Sequence, residues 1–394
     1  MTDIALPTPR RLWLFGLAAI AGWFIDCLAQ YANGWWLIDA AGRPAGSNVF
    51  GLWSAGKMAL AGQAAATYDP AAIAAVQHTL TAPPYAELPW LYPPSFLLVA
   101  AAVAPLPYLW ACAVWLGGTM LGYAAAIRLI LPHPLAMVLA LGAGATLINL
   151  DMSETGFATA CLAGLALAWL DERPILAGVA LGLLTVKPQL GLLFPLVLMV
   201  SGRWRVFGAA AATTLLLAGL AALLFGVEVW RAYLTALPEV GNITMGDRAT
   251  LAGSAAWVDI QSWYGLAHYF GAGAALAWTI HAIAAGGTAL ALCVLWRSDA
   301  AYALKAAALA TGSFLATPYV MTYDAVLLVV PVAFLIRHGL DTGFRRGDME
   351  LCALVLMVPL YALFLKGIAP PLPLVCTVFF FWLIRRASRS VRPA

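Results

Sequence analysis

The chain has 394 residues, of which 63% are hydrophobic and only 10% charged, and its mean hydropathy is +0.88. No water-soluble core needs that much apolar surface, so the composition excludes an ordinary globular domain and points to a polytopic membrane protein. A net charge of +3 makes no case for nucleic acid, and six cysteines inside apolar runs, with no CxxC pair, make none for a metal site or a disulfide framework.

The N-terminal stretch "MTDIALPTPRRLWLFGLAAIAGW" sets Arg10 and Arg11 before an apolar run and has no small-residue cleavage site, so 12–32 is expected to be a retained first span that starts in the cytoplasm. Residues 33–91 are too polar to cross and form a long external loop with interfacial helices. In "YPPSFLLVAAAVAPLPY" only about a dozen apolar residues lie between prolines. That is about 18 Å of helix, short of a ~30 Å hydrocarbon core, and predicts a short helix dipping in from outside. Spans then follow at 108–131, 134–150, 154–170, 174–186, 189–201 and 204–226, a second external region at 227–272, and spans at 273–296, 301–318, 322–337, 349–367 and 371–386. The expected fold is all-α: one integral membrane domain over 1–394, about twelve spans, both termini cytoplasmic. Of the 21 Lys and Arg residues, this threading leaves only Arg43, Lys57, Lys187, Arg231, Arg248 and Lys366 outside, the asymmetry expected of a correct orientation. Residues 174–201 also read as one broken span, although Arg173 and Arg203 on one side favour two short ones.

Polar residues near the outer face carry the functional information, because each costs free energy in or near hydrocarbon and is expected to face a cavity. Asp151 and Glu154 share one outer turn, Lys187 and Gln189 a second, and Asp324 with Tyr319 and Tyr323 a third. Lys187 follows only about a dozen helical residues and precedes Pro188, which places a cation at the apex of two short helices, where it needs an anion.

Four blocks, "NVFGLWSAGKMALAGQAAATYDPAAIAAVQ", "LPWLYPPSFLLVAAAVAPLPY", "RPILAGVALGLLTVKPQLGLLFPLVLMVSGRWR" and "ATPYVMTYDAVLLVVP", resemble in that order glycosyltransferase family 87, bacterial membrane transferases of the GT-C type. The resemblance runs over roughly 45–335. It implies transfer of a sugar, typically mannose, from a polyprenyl-phosphate carrier to a lipid or glycan acceptor at the external face of the bacterial inner membrane. It also implies that residues 46–60 form a loop helix at the interface, with Phe50 and Trp53 toward lipid and a polar side roofing the site.

Displacing a polyprenyl phosphate from an anomeric carbon requires a carboxylate to take the acceptor's proton, and cations or amides to hold the phosphate. No cofactor is implied and no metal-ligand cluster is visible. The chain departs from the family pattern where the resemblance implies an aspartate at the start of the loop helix. Here it has Ser47-Asn48-Val49, and an amide is no base, so Asn48 is expected to cap the helix and to offer substrate a hydrogen bond. The family's Gly-Gln-Asn turn is replaced by "DMSETG". Three readings stay open: Asp151 or Glu154 supplies the carboxylate from a different turn, the site is non-catalytic, or Asp69 or Asp39 takes the role. Asp69, before Pro70, also reads as a plain turn or helix-start residue, and Asp324 as a cap. Beside Lys187, Gln189, Tyr319 and Asp324, the candidate substrate contacts are Tyr92, Lys57, Arg231, Arg248 and His268, although a lone histidine near a helix end is more often structural. Two other classes compete: a transporter or flippase of lipid-linked sugars, and a non-catalytic protein that presents the carrier to another transferase.

Overall fold

The computed structural model describes residues 9–45, 47–81, 88–241, 259–365 and 368–390. Among these the secondary structure is helical, with β pairing confined to two isolated bridges, Ile38 to Pro44 and Ile260 to Met321.

Four helices are individually long and apolar enough to cross a membrane: α5 (Tyr108–Ile130), α11 (Trp204–Phe225), α14 (Ala274–Arg297) and α16 (Thr322–Thr342). The pair α6 (Leu135–Gly142) and α7 (Gly144–Met152) makes a fifth if its 48° bend lies within one span. The span expected over 134–150 is thus bent, at Gly142 to Gly144. Shorter apolar helices account for much of the rest. They include α4 (Pro94–Val103), α8 (Gly156–Trp169), α9 (Pro174–Leu183, extended by a tight turn to Val186) and α10 (Leu193–Val200). α9 and α10 are separate, with Lys187 and Pro188 at the break. The remaining helices that bear on the site are α1 (Pro9–Ala32), α2 (Asn48–Leu60), α3 (Pro70–Leu80), α12 (Glu228–Gly241), α13 (Trp263–Tyr269) and α15 (Tyr302–Ala316).

The main core runs through α5, α8, α15 and α16 and is built from small and branched side chains such as Ala160, Ala163, Ala307, Ala310, Val326 and Val330. Small residues let these helices approach closely, the usual means of association where lipid supplies no hydrophobic drive. By contrast α11 leaves Leu215, Leu216, Leu223 and Leu224 exposed, as a lipid-facing helix does.

A second core corrects the expectation for the loop helix. Ten of the thirteen residues of α2 are buried, Phe50 and Trp53 among them at 1% and 8% exposure, so neither faces lipid. The polar side chains of α2 are only Asn48, Ser54 and Lys57, and Ser54 is itself buried, the pattern of a helix enclosed by protein. Its rings pack edge-on against Tyr108, and Trp53 Nε1 donates to the Leu106 carbonyl at 3.0 Å. On α4 the approach is backbone to backbone: a Cβ at Gly56 would meet the Ala100 carbonyl, so only glycine fits. Lys57 lies over the Trp53 ring at 4.2 Å.

Asp69 caps α3, its Oδ1 accepting from Ala71 N at 2.9 Å and Ala72 N at 3.4 Å, with Pro70 in the first helical turn. Asp69→Ala is therefore expected to cost about 1 kcal/mol of stability. Thermal unfolding in detergent should show it, while any activity survives; loss of activity at unchanged stability would return Asp69 to the site. Asp39 closes its own turn, accepting from Ala41 N and Arg43 N, both at 2.9 Å, and from Arg43 Nε at 2.8 Å. The Arg43 N–H, chief among these donors, holds the carboxyl below the usual carboxylate range.

Candidate functional site

Three turns and two ends of the first-loop region meet around a cavity of about 610 Å³. Its polar lining includes Asn48, Tyr92, Glu154, Lys187, Gln189, Tyr319, Tyr323 and Asp324, and its apolar lining includes Leu52, Val186, Leu192 and Leu237.

The first turn joins α7 to α8. Ser153 adopts φ 54°, a left-handed conformation uncommon for a residue with a side chain, and so ends α7 abruptly. The surroundings over-determine this turn. Trp36 Nε1 donates to the Leu150 carbonyl at 2.9 Å and to Ser153 Oγ at 3.1 Å, and Asn48 Nδ2 donates to the Met152 carbonyl at 3.0 Å. Asn149 Oδ1 accepts from Gly156 N at 2.9 Å. The turn thereby presents Glu154, buried at 5% exposure, to the cavity. One carboxylate oxygen, Oε2, accepts from Thr155 N at 2.8 Å, Thr155 Oγ1 at 3.2 Å and the Tyr92 hydroxyl at 3.1 Å. Burial, followed by the Glu154 charge, keeps the Tyr92 hydroxyl well above its ordinary pKa, so Tyr92 acts as a donor.

The second turn is the α9–α10 break. Pro188 lacks an N–H and the chain tightens on both sides of it, which leaves Lys187 at the apex. The anion it needs comes from the third turn, at the start of α16. Lys187 Nζ bonds Asp324 Oδ1 at 2.8 Å, and the two side chains are 5% and 1% exposed. Asp324 Oδ2 accepts from Met321 N at 3.0 Å, so one carboxylate caps α16 and neutralises the lysine. The Lys187 ammonium also lies 4.4 Å from the centre of the Tyr323 ring.

Of the catalytic candidates, only Glu154 and Asn48 line the cavity; Asp151, three residues before Glu154, does not, nor do Asp69 and Asp39. Asn48 is not the helix cap expected of it. Ser47 holds that position without a side-chain cap bond, and the Asn48 amide reaches across to the α7–α8 turn instead. Lys187, Gln189, Tyr92, Tyr319 and Asp324 all line the cavity. Lys57 does not, and Arg231 lies on the surface, 71% exposed and paired with Glu228. His268 sits 4.5 Å from the Tyr264 ring, away from the lining, with its imidazole pKa lowered by burial. Arg248 lies outside the described residues. Tyr323, grouped with Asp324 by the sequence but not counted among the site residues, lines the cavity with the face of its ring on the Lys187 ammonium. Its signal was adjacency to Asp324 in "TYD". Among the described residues no three His, Cys, Asp or Glu side chains gather as metal ligands.

The arrangement offers one carboxylate neutralised by a lysine and a second held only by hydroxyl and amide donors. Such a pair can accept a proton at one point and stabilise an anion at another. No curated protein and no solved structure matches the chain. The profile of glycosyltransferase family 87 matches residues 90–318, a stretch that takes in Tyr92, Glu154, Lys187 and Gln189 and stops short of Asp324. That match covers more than half of the sequence, and with it this membrane chain belongs to glycosyltransferase family 87.

Proposed function

We propose that the protein moves a hexose, with mannose the first candidate, from a polyprenyl-phosphate carrier to a hydroxyl of a lipid or glycan acceptor, at the external face of the bacterial inner membrane. The observation that carries this reading is a buried carboxylate, Glu154, and a buried ammonium, Lys187, on one cavity of a family 87 protein. Glu154 takes the proton of the acceptor hydroxyl. The acceptor oxygen forms its bond to the anomeric carbon as the bond to the phosphate oxygen breaks, and that electron pair leaves on the phosphate. Lys187 turns from Asp324 toward the phosphate and stabilises the growing charge. One displacement inverts the anomeric centre. Leu192 and Leu237, both lining the cavity and exposed, suit a polyprenyl chain.

The test is transfer of radiolabelled mannose from polyprenyl-phosphate-mannose to a membrane lipid extract by the purified protein. Glu154→Gln keeps size and hydrogen-bonding shape but removes the base, and is expected to lower the rate about 10²–10⁴-fold with donor binding retained. A fully active E154Q variant would remove Glu154 from the mechanism. A second reading draws on Asn48, an amide where the family pattern has an acid: a homologue that binds the carrier without transferring its sugar. It predicts donor binding dependent on Lys187 and no transfer by the wild type with any polyprenyl-phosphate hexose.

A further inference from the structure

The last carbonyls of a helix lack the partners that a further turn would supply. At the end of α7 the first-loop region provides donors for two of them: Trp36 Nε1 for Leu150 at 2.9 Å and Asn48 Nδ2 for Met152 at 3.0 Å. The residue after Met152 is Ser153, at φ 54°. A left-handed serine is costly on its own and persists where its surroundings hold it. Asn48 is well placed to hold it, because Val49 and Phe50 beside it are 0% and 1% exposed in the core that α2 shares with α4, so the amide cannot follow the turn if the turn relaxes. Ser153 directly precedes Glu154, and the dihedral of the one sets the direction in which the other leaves the turn. Asn48 and Glu154 both line the cavity, and Asp151 does not. The contact needs an amide: a carboxylate at position 48 has no proton to donate and would set an oxygen against the Met152 carbonyl.

We infer that Asn48 is a positioning residue of the transfer reaction: by holding the Met152 carbonyl, its amide keeps Ser153 left-handed and thereby keeps Glu154, rather than Asp151, on the cavity. The inference rests on the role of Glu154 given under Proposed function and opposes the second reading there, in which the amide marks a lost base. The brace acts from the first-loop region on a turn more than 100 residues away, so the loop helix shapes the site through the chain that carries the carboxylate.

Asn48→Ala removes the donor and is expected to lower kcat about tenfold in monodisperse protein, with the donor KM little changed, because the base is displaced and the carrier's contacts are not. Ser153→Gly supplies the discriminating background. Glycine takes positive φ without steric cost, so the turn then needs less support from outside. In S153G protein the N48A change is expected to cost less than about threefold, a coupling that a residue binding substrate directly would not show. Asn48→Asp is expected to be no faster than N48A. A wild-type kcat in N48A, an equal loss in both backgrounds, a rise in KM without a fall in kcat, or transfer by N48D above the wild-type rate overturns the inference. Hydrogen exchange over residues 150–157 reads the turn without activity. Glu154 N donates to the Asn149 carbonyl at 3.1 Å and Gly156 N to Asn149 Oδ1 at 2.9 Å, so both amides report on it. N48A is expected to speed their exchange about tenfold, and S153G to cancel most of that gain. If the wild type transfers no hexose, or E154Q is fully active, the proposed role of Glu154 fails by itself and exchange decides: acceleration in N48A that glycine cancels upholds the brace, and any other pattern overturns it.

Discussion

Lys187→Met is expected to destabilise the protein by about 3–5 kcal/mol, because it leaves the Asp324 carboxylate buried with no countercharge. Both side chains are almost fully enclosed, and the bond between them is 2.8 Å, so the loss is not softened by solvent. Adding Asp324→Asn should restore most of the stability. The amide oxygen still accepts from Met321 N, and no lone charge remains. Function should not return with it: both the single and the double variant lack the ammonium for the phosphate and are expected to lose donor binding. Unfolding in detergent, read beside binding of the polyprenyl-phosphate donor, checks the two parts separately. Equal stability of wild type and K187M would mean that the pair is not formed; recovered donor binding in the double variant would mean that another group holds the phosphate.

Gly156→Ala, a change of one methyl, is expected to lower transfer about 10²-fold. The added Cβ would meet the Tyr323 carbonyl at 2.6 Å and Asn149 Oδ1 closer still, and both atoms are held in the turns that carry the site. Neither can yield as a flexible side-chain tip does. The α7–α8 turn must move away from the start of α16, and with it Glu154 from Tyr323 and Lys187. A displacement of about 1 Å is enough for a loss of that order. The overpacking itself is expected to cost about 1–3 kcal/mol, so the folded fraction must be measured alongside the rate. A G156A protein with the wild-type rate would show that the two turns need not be in contact for transfer.

The helical class and most helix positions were legible because they follow from apolar run length and breaks at proline and glycine, which are local. Lys187 was legible for the same reason: an ammonium between two short apolar runs beside Pro188 has few places to go, and its need for an anion is met by Asp324. The identity of that anion was not legible, since 137 residues separate the partners. The choice of Glu154 over Asp151 depends on a left-handed Ser153, a conformation that a serine does not announce. The loop helix was misjudged for a different reason. Phe50 and Trp53 suit lipid and protein equally well, and what decides between them, the α4 surface and Tyr108, lies some 50 residues downstream. Asn48 illustrates the limit most clearly. Its chemistry excluded it as a base, yet its contact with the Met152 carbonyl is a property of two distant turns meeting.

The burial of α2 has a consequence for biogenesis. A ribosome finishes α2 well before it makes α4 and the Tyr108 end of α5, the surfaces on which Phe50, Trp53 and Gly56 come to rest. Until those segments emerge, the apolar side chains of this helix have nothing to pack against but lipid or a chaperone. The nascent chain must therefore hold an aggregation-prone segment in waiting and complete the roof of its cavity only after the following span has been delivered. Slowing synthesis between residues 60 and 108 would lengthen that interval.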